Sequence, residues 1–301
     1  MNIHIRPHAA AVACALAALA ASQPVWSCST CKCGDNTINL FGSEKPFASR
    51  LRVGIDYLVR SETQGDPALN VRQTDEERLL LGLAYSPTRN LTLAVQVPFV
   101  SKTIEDSNRA TQDAEGLGDI DLIGRWTLYR QGGISGRHLV GLRFGVRLPT
   151  TDEVTDASGD VLDIDVQPDA GATAPNAGAW YGYFRFPWFA SVSATYFHYG
   201  DGHQDFSPGD AVTASAIAQY GLTQRIAVQG GVDARYSQRN QFSGVDDPDS
   251  GGALAMAFGG IAVRALQELI VNAGVQVPLL DDLNGHQDED PAWRIGLAYD
   301  F

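Results

Sequence analysis

The stretch Leu51-Arg-Val-Gly-Ile-Asp-Tyr-Leu-Val-Arg60 decides the fold. Leu51, Val53, Ile55, Tyr57 and Val59 alternate with Arg52, Gly54, Asp56, Leu58 and Arg60, so the apolar side chains recur at every second residue. That period puts them on one face of a β-strand, whereas a helix would scatter them around its axis. The same alternation returns in Leu79/Leu81/Leu83/Tyr85, Leu91/Leu93/Val95/Val97/Phe99 and Ile120/Leu122/Gly124/Trp126/Leu128. It continues in Val140/Leu142/Phe144/Val146/Leu148, Val212/Ala214/Ala216/Ala218/Tyr220 and Ile226/Val228/Gly230/Val232. Val271/Ala273/Val275/Val277/Leu279 and Trp293/Ile295/Leu297/Tyr299/Phe301 close the series. Segments near residues 176–186, 188–200 and 252–265 complete it with less regular parity.

A soluble β-sandwich would alternate in the same way, so the connections carry the distinction. Short turns near residues 87–90, 131–137, 186–187, 223–224 and 267–268 interleave with long loops near 61–72, 104–117, 150–175, 200–209, 240–251 and 281–291. This rhythm is that of a membrane barrel, with one end facing the periplasm and the other the outside. The apolar faces carry essentially no charge and end in aromatics. Tyr85, Trp126 and Tyr220 lie toward the short turns, and Tyr57, Phe99, Tyr236 and Trp293 toward the long loops. Such residues form interfacial girdles, and closure removes the strand edges that lipid cannot solvate. The expectation is an all-β protein: a transmembrane antiparallel up-and-down β-barrel of about 12 strands.

Composition is consistent with this. The 301 residues hold 22 Lys+Arg against 35 Asp+Glu, a net charge of −13, and are 44% hydrophobic. The chain is too apolar for disorder, and a mean hydropathy of −0.12 is too low for a helical membrane protein. The negative charge excludes a nucleic-acid partner on electrostatic grounds. Arg6 precedes an uncharged run of small apolar residues over 9–21, too short to span a bilayer, which reads as an export signal. The expected organisation is a signal peptide over residues 1–27 with cleavage somewhere in 20–27, a periplasmic cysteine-containing segment over 28–47, and a barrel over 48–301. The barrel is placed in the outer membrane, with lipid as one partner and the N-terminus in the periplasm.

Cys28, Cys31 and Cys33 survive cleavage in the run Cys-Ser-Thr-Cys-Lys-Cys-Gly-Asp. Three chemistries fit an odd thiol count in an oxidising compartment: a soft metal such as copper or zinc, a disulfide, or lipidation of Cys28. Trp26 makes a poor lipoprotein box, and no His follows the Cys-x-x-Cys, which argues against covalent haem.

Two stretches, Leu91-Thr-Leu-Ala-Val-Gln-Val-Pro-Phe99 and Gly116-Leu-Gly-Asp-Ile-Asp-Leu-Ile-Gly-Arg-Trp126, resemble the outer-membrane barrel family labelled "putative MetA-pathway of phenol degradation". The resemblance covers about residues 48–301 and implies a channel or transporter passing small, aromatic solutes by diffusion. The ending at Phe301 resembles the terminal strand that the barrel-assembly machinery reads in such proteins. The cysteine run is not part of the resemblance and marks an added task, so the alternative is a closed structural barrel anchoring a metal-binding or redox-partner segment.

Within a barrel, the polar face becomes the lumen wall. The candidates for solute selection are Arg52, Asp56, Arg78, Asp119, Asp121, Arg125, Arg143, Arg147, Asp233, Arg235 and Arg294, and the same set can serve as a paired network that stiffens the wall. Tyr129, Tyr181, Tyr183, Phe197 and Tyr199 form a candidate aromatic strip for a planar solute, and His198, Asp201 and His203 a candidate metal pair beside a loop. The acidic loops near 152–169, 246–249 and 281–290 match no calcium motif and read as solvated. No Gly-x-Ser-x-Gly, His-Glu-x-x-His or phosphate loop occurs, so the expectation is a non-enzyme.

Overall fold

The computed structural model describes residue 41 and residues 48–66, 71–108, 110–133 and 136–301. The expected signal peptide and Cys28, Cys31 and Cys33 lie outside the described residues.

Twelve strands form the wall: β1 Arg50–Gln64, β2 Arg72–Ser86, β3 Leu91–Asp106, β4 Ile120–Gly133, β5 Gly136–Leu148, β6 Ala174–Arg185, β7 Trp188–Phe197, β8 Ala211–Gly221, β9 Ile226–Ser237, β10 Gly252–Arg264, β11 Leu269–Leu283 and β12 Ala292–Asp300. Each pairs antiparallel with its neighbours in sequence. The ring closes where β1 meets β12, from Arg52 opposite Asp300 to Val59 opposite Trp293. The amide of Phe301 then donates to the Leu51 carbonyl, tying the last residue to the first strand. Closure leaves no edge along the wall. Two short strands, Thr111–Leu117 and Gln287–Glu289, prolong it at the long-loop end by pairing with β3 and β1.

The three segments with irregular parity are strands as well, β6, β7 and β10. A bulge between Thr127 and Tyr129 resets the parity of β4 near its end. There Gly141 of β5 approaches so closely that a methyl group would collide with the Trp126 carbonyl and the Trp180 indole. At the short-turn end a threonine hydroxyl holds the chain reversal in two places. Thr88 accepts from the Asn90 and Leu91 amides at 3.3 and 3.1 Å, and Thr223 from Arg225 and Ile226 at 3.1 and 3.0 Å.

The apolar faces point outward. Leu81, Leu83, Trp126 and Ile295 are exposed around the barrel, while Arg52, Glu76 and Lys102 are 1%, 1% and 2% exposed on its inside. A sandwich would show the reverse, so the amphipathic strands form a lipid-facing belt round a polar interior. The seven expected girdle aromatics are all exposed on that outer face.

Candidate functional site

The lumen is organised in tiers. At the long-loop end, residues 163–170 of the β5–β6 loop turn inward and pack on the inner face of β2, β3 and the Thr111–Leu117 extension. Lys102 Nζ donates to the Asp165 and Gln167 carbonyls at 3.1 and 2.9 Å. Arg72 reaches Asp106, Asp163 and Asp165 at 3.0, 3.3 and 3.1 Å. Val166 joins Ile104 and Ala114, and Ile164 joins Ala170, Ala172 and Phe206, so the loop has its own apolar anchors. Gly118 makes the close approach possible, since a Cβ there would press on the Pro168 carbonyl and on Pro98 and Val100. Burial and the adjacent Asp163 charge push the Asp165 carboxyl well above the usual carboxylate range. Beside the loop, Arg60 bridges Glu76 at 2.9 Å, Glu289 at 3.4 Å and Glu62 at 3.5 Å, and Arg78 also pairs with Glu76.

Below this tier the pairs cross between strands, adjacent ones for Arg147 with Asp121 and Arg294 with Asp56, and next-but-one for Asp233 with Gln276. Arg147 grips Asp121 at 2.8 and 3.2 Å, bonds the Tyr199 hydroxyl at 3.0 Å and lies over the Phe197 ring at 5.2 Å. Arg294 Nε meets Asp56 at 3.1 Å, and Asp233 accepts from Gln276 at 2.9 Å.

The short-turn end is cationic. Arg50 and Arg52 share Asp300, at 2.8 and 2.7 Å through their Nε atoms. The Arg125 guanidinium lies between two rings, 4.4 Å from the Phe41 centroid and 3.8 Å from that of Trp180. Arg143 and Arg264 face inward by their strand parity, and Asp300 is the carboxylate that Arg50 and Arg52 share at this end. A cavity of about 460 Å³ opens here, lined among others by Arg52, Arg225, Arg264, Phe184, Phe189 and Ile270.

All eleven lumen candidates therefore face inward, but in separate tiers. Arg78 belongs to the long-loop cluster, Arg52, Arg125 and Arg143 to the short-turn end, and the others lie between. The aromatic strip is not formed as expected. Tyr129 and Tyr181 are exposed on the outside and Tyr183 shares their outward parity, while Phe197 and Tyr199 face inward. The inward aromatics of β6 are Trp180 and Phe184, because the run Ala179-Trp-Tyr-Gly-Tyr-Phe184 carries rings on both parities and only pairing with β5 selects between them. The metal pair is also split. His198 bonds Asp210 at 3.0 Å, His203 bonds the Thr151 carbonyl at 3.2 Å and lies 3.4 Å from Asp169, and Asp201 accepts from Ser207 at 2.7 Å.

Sequence reasoning missed Glu76, Lys102, Arg50 and Arg72. Their signal was present: extending the inward parity of Arg78 and Gln96 toward the long loops reaches Glu76 and Lys102. The inward loop and Phe41 had no periodic signal at all.

The long loop between β9 and β10 carries a testable titration. Asp247 is buried, its amide donates to the Asn240 carbonyl, and its Oδ1 accepts from the Asp249 amide at 3.0 Å. Burial pushes its carboxyl up to about 6. A raised folded-state value means that stability falls as pH rises from about 4 to about 6, because the unfolded chain ionises first. Asp247→Asn should remove that fall. The expected gain in thermal stability of the detergent-folded barrel is on the order of 1 kcal/mol at pH 8 and nothing at pH 4. Equal effects at both pH values would show that packing, not ionisation, governs the position.

No protein-family model matches the chain, and no curated protein is similar to it in sequence. Among solved structures the fold is similar to the COG4313 outer membrane channel from Pseudomonas putida F1. The TM-score is 0.65 at 13% identity, covering 90% of this chain and 100% of that one. It is also similar to the translocator domain of the autotransporter NalP from Neisseria meningitidis, with a TM-score of 0.52 at 13% identity, covering 88% of this chain and 93% of that one.

Proposed function

We propose that this chain is an outer-membrane channel that passes small solutes by diffusion and favours aromatic anions. Its long loops face the outside, and its short turns and N-terminal segment face the periplasm. The observation that carries the reading is the short-turn end of the lumen, where Arg52, Arg225 and Arg264 line an open cavity of about 460 Å³ edged by Phe184 and Phe189. Guanidinium groups beside aromatic faces attract both the charge and the ring of a small aromatic acid. The likeness to a channel fold and the resemblance to the phenol-degradation barrel family support the same reading. Phe301, outward-facing at the end of β12, fits the assembly signal, and export by an N-terminal signal fits the destination.

A hydrolase is a weaker reading on positive grounds. His138 bonds the Tyr181 hydroxyl at 2.7 Å, and His198 and His203 bond Asp210 and Thr151, so these imidazoles have partners other than a serine nucleophile.

The test is solute influx into liposomes carrying the refolded protein, comparing benzoate, an amino acid and a pentose with empty vesicles. Influx of benzoate ahead of the uncharged pentose is expected. No influx of any solute, with folding verified by heat-dependent gel mobility, would overturn the channel reading. The role would then fall to a closed barrel anchoring Cys28, Cys31 and Cys33 for copper or redox contact, which copper binding and its loss in a Cys31→Ser/Cys33→Ser variant would test.

A further inference from the structure

Phe41 stands apart from every strand, nine residues before β1 begins, yet its ring is only 5% exposed. It packs against Ala84 of β2, Ala94 of β3 and Ile123 of β4, all inward-facing positions toward the short-turn end. Arg125 covers it at 4.4 Å and is itself backed by Trp180 at 3.8 Å. Arg50 Nη1 donates to the Phe41 carbonyl at 3.1 Å, so a cationic donor sits at the backbone end of the ring's position.

Three features distinguish this arrangement from ordinary core packing. The β2, β3 and β4 wall is fully paired around the recess, from Ala84 opposite Ala94 to Ala94 opposite Ile123, so closure does not require the ring. Two of the three wall residues behind it are alanines, which leave a ring-sized hollow where larger aliphatics would have filled the wall themselves. The occupant belongs to none of the wall strands, so its withdrawal exposes the hollow and the flanking guanidinium groups to the lumen.

We propose that this recess is a binding site for monoaromatic carboxylates, which Phe41 occupies as a tethered competitor. The incoming ring takes the place of the Phe41 ring against Ala84, Ala94 and Ile123, stacked on the Arg125 guanidinium. Its carboxylate takes the Arg50 donor that the Phe41 carbonyl gives up. Stacking on a planar cation selects rings, and the two arginines select anions among them. This inference rests on the channel reading, since it places the site on the lumen wall.

The experiment is equilibrium binding of 4-fluorobenzoate, followed by fluorine NMR on the full chain folded in detergent. 4-Fluorobenzyl alcohol serves as the uncharged probe and fluoroacetate as the non-aromatic anion. Phe41→Ala should bind 4-fluorobenzoate about tenfold more tightly than the wild type, because the internal competitor is gone. Adding Arg125→Met or Ala94→Leu to Phe41→Ala should abolish the gain. The first variant removes the stacking cation, and the second fills the hollow from the wall and keeps the charge. Unchanged affinity in Phe41→Ala, or a gain that persists in Phe41→Ala/Ala94→Leu, would overturn the proposal, as would equal binding of the alcohol. Binding is read without flux, so the two readings fail separately. Influx without binding at the recess sinks this site alone, and binding without influx sinks the channel alone.

Discussion

Arg72→Ala should release the inward loop from the barrel wall. The guanidinium of Arg72 holds Asp163 and Asp165 from the loop and Asp106 from β3, and the Asp165 side chain has no solvent exposure. Removing one member of a buried ionic cluster costs about 3–5 kcal/mol, because the remaining charges stay desolvated without that partner. The loop can avoid this cost only by moving out into water. Cleavage by a glutamate-specific protease after Glu153 should then rise by roughly tenfold or more, as the locally open population grows. The conductance of the reconstituted channel should rise in parallel, because the loop no longer takes up cross-section at the mouth. Asp106→Asn, which removes a more exposed partner on the strand side, should do much less. If Arg72→Ala left cleavage unchanged, the apolar anchors Ile164 and Val166 would be shown to hold the loop unaided.

Asp300→Asn should have the second large effect. Asp300 is the shared acceptor of Arg50 and Arg52 at the short-turn end. Neutralising it removes the carboxylate that two adjacent guanidinium groups share, beside a cavity lined by Arg52, Arg225 and Arg264. The preference for anions over cations, read from the reversal potential in a salt gradient, should increase by roughly two- to threefold and fade at high salt. The same variant should be less stable by an amount on the order of 3 kcal/mol, since the two closure strands lose the carboxylate shared across them and keep only their backbone ladder. A stability loss without any change in selectivity would locate the ion-selecting tier at the Arg60–Glu76–Arg78 cluster near the other mouth.

Much of the fold was legible because a β-strand forces side chains to alternate. Arg52, Asp56, Arg125 and Arg294 could be assigned to the polar face simply because each lies an odd number of residues from the apolar Val53, Leu122 or Ile295. Short turns and long loops could be told apart by length. That counting fails where the local chain gives no parity. The run Ala179–Phe184 carries a ring at almost every position, and the neighbouring strand alone turns Trp180 inward and Tyr181 outward. It also fails at the β4 bulge, where the extra residue is specified by close packing of Gly141 and not by any period.

The sequence by itself determined the class: period-two strands in an even series, whose alternation of short turns and long loops is the rhythm of a membrane barrel. It did not say which face looks inward, since a sandwich and a membrane barrel write the same alternation with opposite sense. Only the closed ring settles that, by burying Arg52, Glu76 and Lys102 and leaving Trp126 and Trp293 outside. Tertiary structure also decided how the charges pair, how the 163–170 loop folds onto Arg72 and Lys102, and where Phe41 lodges. Those contacts join residues tens to hundreds of positions apart, and a local pattern carries no information about partners brought together only when the barrel closes.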